Sequence, residues 1–369
     1  MNKYITNFSR GCMHHWTASK AVTELVQNWL DSDGERSYDI DSDSLTLTNT
    51  NIKVSNKMLM MGRSDKREDD TKRGKFGMGS IQAMVVLTDL DIAVNIFNNN
   101  VKWTPTFEYD EKFDEDIMVV YEEPLQNTNT NFTVEITGLS EEDIDEIKQR
   151  CLEFQDREVL YSTKYGDIIE SLDGETGEVF CGDLYVCQHS RFKYSYNFKP
   201  KVIVLSQDRD AVSQFDMQTL TGKLIVATGD DEFIKEAMKA GMLDTDHIKY
   251  SFCSASPSSV NDSLAEEFLE EHGVVAVTSN YSEHEQNVKL GNKSVYHPNS
   301  VVVKSIQDSE IYQEAISQLE VVEREGFVSL MEKFLDDVEY LLKMSKDNTE
   351  DTGKLLEEIR ERVYNEDFE

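Results

Sequence analysis

The sequence predicts an α+β fold of several domains, on three observations. Residues 18–32, ASKAVTELVQNWLDS, place apolar side chains at helical spacing. SYDID and SLTLTN, at 37–41 and 44–49, alternate like the two strands of a hairpin around an Asp/Ser turn. A glycine-rich stretch at 74–79 then runs straight into the apolar segment SIQAMVVL. A chain of 369 residues, 39% hydrophobic and 29% charged, has material for two or three such domains with real cores.

Along the chain, DIAVNIFN and NFTVEITGL (131–139) read as further strands of the first domain, taken as 1–155. Ser140 and Asp143 form a capping-box start for the helix EEDIDEIKQRCLEF, which leads out of it. The second domain, 156–250, reads as strand-rich through EVFCGDLYVCQ, FKYSYNFKP and KVIVLSQDRDAVSQFDMQTLTGKLIVAT. DSLAEEFLEEHG and VVAVTS give a helix and a strand in a small α/β segment, 251–312. The remainder, 313–369, is predicted helical, with Phe327, Met331, Phe334, Val338 and Leu341 as its apolar stripe.

Charge and cysteines narrow the setting. Lys and Arg number 37 against 71 Asp and Glu, a net charge of −34. Such a field disfavours direct DNA binding and suits either plain solubility or a protein partner with a basic surface. The five cysteines form no CxxC pair, no run of about 18 apolar residues exists, and the N-terminus lacks the layout of a secretion signal. A cytoplasmic setting without membrane attachment is the expectation.

Two groups of residues carry chemistry. In the first helix, Val22, Leu25, Val26, Trp29 and Leu30 make the core stripe, while Glu24, Asn28 and Asp31 share another face. An amide oxygen there can complete the oxygen shell of Mg²⁺, and a carboxylate one turn away can take a proton from water. The same three residues also suit a solvated helix face. In the second group, Gly74, Gly77 and Gly79 of GKFGMG free the main chain to approach an anion, with Lys72, Arg73 and Lys75 adding positive charge. The helix that follows would aim its N-terminus at the same anion. No GK[ST] ending is present, so this is not a P-loop, and no clear strand precedes it as a dinucleotide fingerprint requires.

Taken together, ELVQNWLD and RGKFGMGS resemble the E-x-x-x-N-x-x-D and G-x-F-G-x-G boxes of the GHKL superfamily, which includes gyrase B, heat-shock chaperones, histidine kinases and MutL. The resemblance covers roughly residues 15–140 and implies a Bergerat-type ATP-binding α/β sandwich, a transducer-like α/β domain and a helical C-terminal region. It implies ATP and Mg²⁺ as cofactors, Glu24 as general base and Asn28 as the Mg²⁺ ligand, with Asp31 beside them. Gly74, Lys75, Phe76, Gly77, Met78 and Gly79 would form the lid over the triphosphate, and Ser64 and Lys66 would lie near the phosphates.

One box departs from the family pattern. LTLTNTNIKVS stands where D-x-G-x-G reads adenine, so Asn49 replaces the aspartate and Asn51 and Lys53 replace the glycines. An Asn carbonyl still accepts a hydrogen bond, as a neutral group. Thr133, in the late strand, takes the place of the threonine that supports adenine through water. In 205–223, Arg209 and Lys223 are the candidates for a cation reaching the γ-phosphate, with Gln214 and Gln218 as water positioners. The chain is similar in this respect to divergent ATP-binding proteins of phages and bacteria. The implied function is an ATP-driven conformational switch, with pairing of two subunits on ATP. The alternative is an acidic, non-enzymatic interaction protein on the same scaffold, such as a DNA mimic or host-enzyme inhibitor.

Overall fold

The computed structural model describes residues 2–59, 79–126, 130–172, 176–203, 205, 212–250, 256–289 and 293–318, with scattered positions from 331 to 359. The chain divides into two compact units, Met1–Thr228 with Met242–Asp244, and Gly229–Gly241 with Thr245–Glu369. Among the described residues, no helix is long and apolar enough to cross a membrane.

The first unit opens with β1 (Asn2–Ser9), α1 (Ala18–Leu30), β2 (Arg36–Ile40), β3 (Ser44–Asn49) and α2 (Gly79–Asp89). It continues with β4 (Ala93–Asn98), β5 (Val101–Asp110), β6 (Glu115–Pro124), β7 (Phe132–Thr137) and α3 (Glu141–Gln149). The strands form one antiparallel sheet in the order β1-β6-β5-β4-β7-β3-β2, and α1 and α2 pack on one face of it. The result is an α/β sandwich of the expected class.

Helix α1 forms where its stripe predicts. Thr17 caps it, its hydroxyl accepting from Lys20 N at 3.2 Å, and Val22, Leu25, Val26, Trp29 and Leu30 are all buried. Leu45, Leu47, Val134 and Ile136 come up from the sheet beneath, at every second position of β3 and β7. That alternation fixes which strand residues face the helices. The Ser140 capping box closes as predicted, with Asp143 N and the Ser140 hydroxyl 3.1 Å apart.

Backbone hydrogen bonds from Leu152 to Asp183 and from Tyr185 to Arg150 join this layer to a second sheet. Its strands are β8 (Val159–Ser162), β9 (Gly166–Ile169), β10 (Gly177–Cys181), β11 (Leu184–His189) and β12 (Ser195–Phe198), in the order β11-β10-β12-β9-β8. The strand-rich reading stops there. Residues 214–226 are helix α4 (Gln214–Val226), started by Ser213, whose hydroxyl accepts from Asp216 N. The run LIVAT looks extended by its β-branched residues, yet Met217, Gln218, Thr221, Leu224 and Ile225 are buried at helical spacing.

A short return of the chain, Met242–Asp244, belongs to this unit and is tied in by a buried carboxylate. Asp244 Oδ2 accepts from Lys193 N at 2.9 Å, Tyr194 N at 3.3 Å and the Tyr196 hydroxyl at 2.8 Å. Asp244→Ala would leave these donors unpaired and is expected to lower stability by about 3 kcal/mol in urea unfolding. Burial raises the Asp244 pKa, so the folded chain keeps its proton to higher pH than the unfolded chain. Its contribution is therefore full below the ordinary carboxylate pKa and declines as pH rises through the raised value. Asp244→Asn is expected to flatten that slope.

The second unit contains α5 (Asp231–Lys239), α6 (Ser258–His272), β13 (Ala276–Thr278), α7 (Tyr281–Lys289), β14 (Ser294–Tyr296) and α8 (Ser300–Asp308). Strands β13 and β14 pair in parallel, and α8 packs against α6. In the tail, Met331 and Val338 of the predicted stripe pack against Leu335, which is buried, while Phe334 is exposed; Phe327 and Leu341 lie outside the described residues.

Candidate functional site

The sandwich holds a small cleft of about 20 Å³ between α1, the start of α2 and the sheet. It is lined by Leu25, Asn28, Trp29, Leu47, Asn49, Met58, Ser80, Ile96, Phe132 and Val134. Most of this lining is apolar; the polar side chains are two amides and one hydroxyl. An apolar lining with a few directed polar groups is the composition common to small-molecule sites.

At the mouth, the first group of residues singled out in the sequence meets Gly79, the one member of the second group among the described residues. Glu24 and Asn28 sit one turn apart on α1, both half-buried. Gly79, the first residue of α2, lies so close to Glu24 that a methyl group there would overlap Oε2 and stand 3.1 Å from Cδ. Any side chain here would make the end of the Glu24 side chain move aside.

Both amides are held in one orientation by acceptors. Asn28 Nδ2 donates to the main-chain oxygen of Glu24 and to Ser80 Oγ, each at 2.9 Å. Asn49, 2% exposed, donates from Nδ2 to the main-chain oxygen of Trp29 at 3.0 Å. Only the nitrogen of an amide can face a carbonyl oxygen, so Oδ1 of each residue is the atom left to accept or to ligate. Among the described residues, neither Oδ1 takes a hydrogen bond from the protein. A neutral oxygen beside a carboxylate fits the donor set Mg²⁺ prefers, so Asn28 with Glu24 nearby fits that ion.

The backbone after Asn49 also explains one departure in its box. Asn51 stands at φ 57°, in the left-handed region where the family pattern has glycine. Asparagine is among the residues that tolerate this region best, so the turn survives the replacement.

Other predicted residues fall elsewhere. Phe132 and Val134 face the cleft, so Thr133 between them faces the opposite side of the sheet, where its hydroxyl pairs with Thr48 at 3.1 Å. Thr133 therefore does not support a base in this cleft, because a strand reverses its face at every residue. Asp31 is the C-cap of α1, 2% exposed, and does not line the cleft. Seven residues of helical rise leave it about 10 Å along the axis from Glu24. Lys223 is in the last turn of α4, which packs on β9 of the second sheet, and it does not line the cleft. Gln214 is exposed and Gln218 buried on the same helix. Ser64, Lys66, Gly74, Lys75, Phe76, Gly77, Met78 and Arg209 lie outside the described residues. Ser80 was not foreseen: a lone hydroxyl after a glycine run has no motif, and its partner is 52 positions away.

Comparison with known proteins adds an outline. A family model described as the Mycoplasma pneumoniae MPN635 N-terminal domain matches residues 142–231. No curated protein matches the chain. Among solved structures, the ATPase region of Saccharomyces cerevisiae topoisomerase II is similar at a TM-score of 0.38 and 9% identity, covering 64% of this chain and 89% of that one. The same region bound to ICRF-187 (dexrazoxane) gives 0.35 and 10%, covering 60% and 83%. At these TM-scores the likeness carries no argument about chemistry, which has to come from the side chains.

Proposed function

We propose that this chain binds ATP with Mg²⁺ in the cleft under α1 and hydrolyses it, as a GHKL-type conformational switch. The observation that supports this most is the meeting of Glu24 and Asn28 with Gly79 and Ser80 beside the pocket that holds Asn49. In this reading the base enters the apolar pocket, and Asn49 Oδ1 accepts from its amino group. The main-chain N–H groups that open α2 face the phosphates, where the helix dipole favours negative charge. Asn28 Oδ1 holds Mg²⁺, which when bound neutralises phosphate charge. Glu24 accepts the proton of the attacking water. ATP-dependent pairing of two copies and action on a protein partner with a basic surface belong to the same proposal, the latter on the net charge of −34.

The test is calorimetric titration of the purified protein with ATP, with and without Mg²⁺, alongside phosphate release. Binding strengthened by Mg²⁺ together with turnover is the expected result. Absence of both would overturn the reading and leave the acidic interaction protein in its place.

A further inference from the structure

We infer that Ser80 is a positioning residue for Mg²⁺, acting through Asn28; this rests on the ATP reading above. Asn28 projects from α1, and its amide is held at two points. One is the main-chain oxygen of Glu24, one turn back on the same helix. The other is Ser80 Oγ, at the start of α2. The first contact alone leaves the amide free to swing about its side-chain torsions. The second ties it across two helices and fixes the direction in which Oδ1 is presented.

The chemistry makes that constraint matter. Mg²⁺ demands near-octahedral geometry at short distance and gives up water reluctantly, so a ligand oxygen that wanders is a poor ligand. Groups that orient a metal ligand without touching the metal commonly govern affinity about tenfold or more. Ser80 also marks the entry of α2, so the hydrogen bond couples the metal ligand to the helix end that faces the phosphates.

The experiment measures binding of a non-hydrolysable ATP analogue by calorimetry, across a MgCl₂ series and in EDTA. Wild type, Ser80→Ala and Ser80→Thr are compared, with circular dichroism confirming that each is folded. Ser80→Ala is expected to need about tenfold more Mg²⁺ for half-maximal enhancement, with its EDTA affinity unchanged. Ser80→Thr keeps the hydroxyl and is expected to restore the wild-type Mg²⁺ dependence. Superimposed Mg²⁺ curves for wild type and Ser80→Ala would overturn the role, as would an equal loss of affinity in EDTA and in Mg²⁺. If wild type itself binds no analogue in either condition, the ATP reading fails, and that outcome is distinct from a failure confined to Ser80.

Discussion

Glu24→Gln is expected to bind ATP and Mg²⁺ as the wild type does and to hydrolyse ATP about 10²–10⁴-fold more slowly, the span a positioned general base contributes. The substitution keeps the shape of the side chain and removes its charge and its ability to take a proton. It leaves the metal ligand in place, because Asn28 Nδ2 bonds to the main-chain oxygen of residue 24 and not to its carboxylate. It also leaves the core intact, since the α1 residues that pack inward are Val22, Leu25, Val26, Trp29 and Leu30. Binding and chemistry should therefore separate, and calorimetry beside single-turnover hydrolysis reads the two independently. Unchanged turnover would remove Glu24 from the mechanism. Loss of binding along with turnover would mean that the carboxylate holds the nucleotide and does not act as a base.

Much of this site was legible because it is built from local patterns. The stripe of α1 and the glycine before α2 each follow from a few neighbouring residues, and the hairpin of β2 and β3 follows from simple alternation. Errors arose where a judgement depended on parity or on distant packing. Thr133 lies on the far face of the sheet from the cleft, and in a strand one position is the whole difference between the two faces. In the tail, Met331 and Val338 pack inward as the stripe predicts, but the buried residue between them is Leu335 and Phe334 is exposed. Residues 214–226 carried both a β-branched run and a helix cap, and the cap with its buried face prevailed. Asp244 belongs to no sequence motif; its burial depends on Lys193, Tyr194 and Tyr196, some fifty residues earlier. The orientation of Asn49 was equally out of reach, because it is set by the carbonyl oxygen of Trp29.

Gly79→Ala is expected to impair turnover almost as severely as Glu24→Gln while leaving stability within about 1 kcal/mol of wild type. The backbone permits alanine at the first position of α2, where replacing glycine commonly gains about 0.4–1 kcal/mol through the unfolded chain. Against this stands the overlap with Glu24 Oε2. That oxygen is the end of a flexible side chain, and moving it off its preferred torsions costs about 0.5–1.5 kcal/mol, so the two effects nearly cancel in the fold. They do not cancel in the chemistry. A shift of about 1 Å in a reacting group can lower the rate on the order of 10²-fold, and the new methyl group occupies the place of the carboxylate oxygen. Thermal unfolding and hydrolysis of the variant measure the two effects separately. If Gly79 acts by leaving room for Glu24, the double variant with Glu24→Gln should be no slower than the slower single variant, because both changes remove the same base. Multiplied losses in the double variant would show that Gly79 acts by a separate route, through the main chain that opens α2.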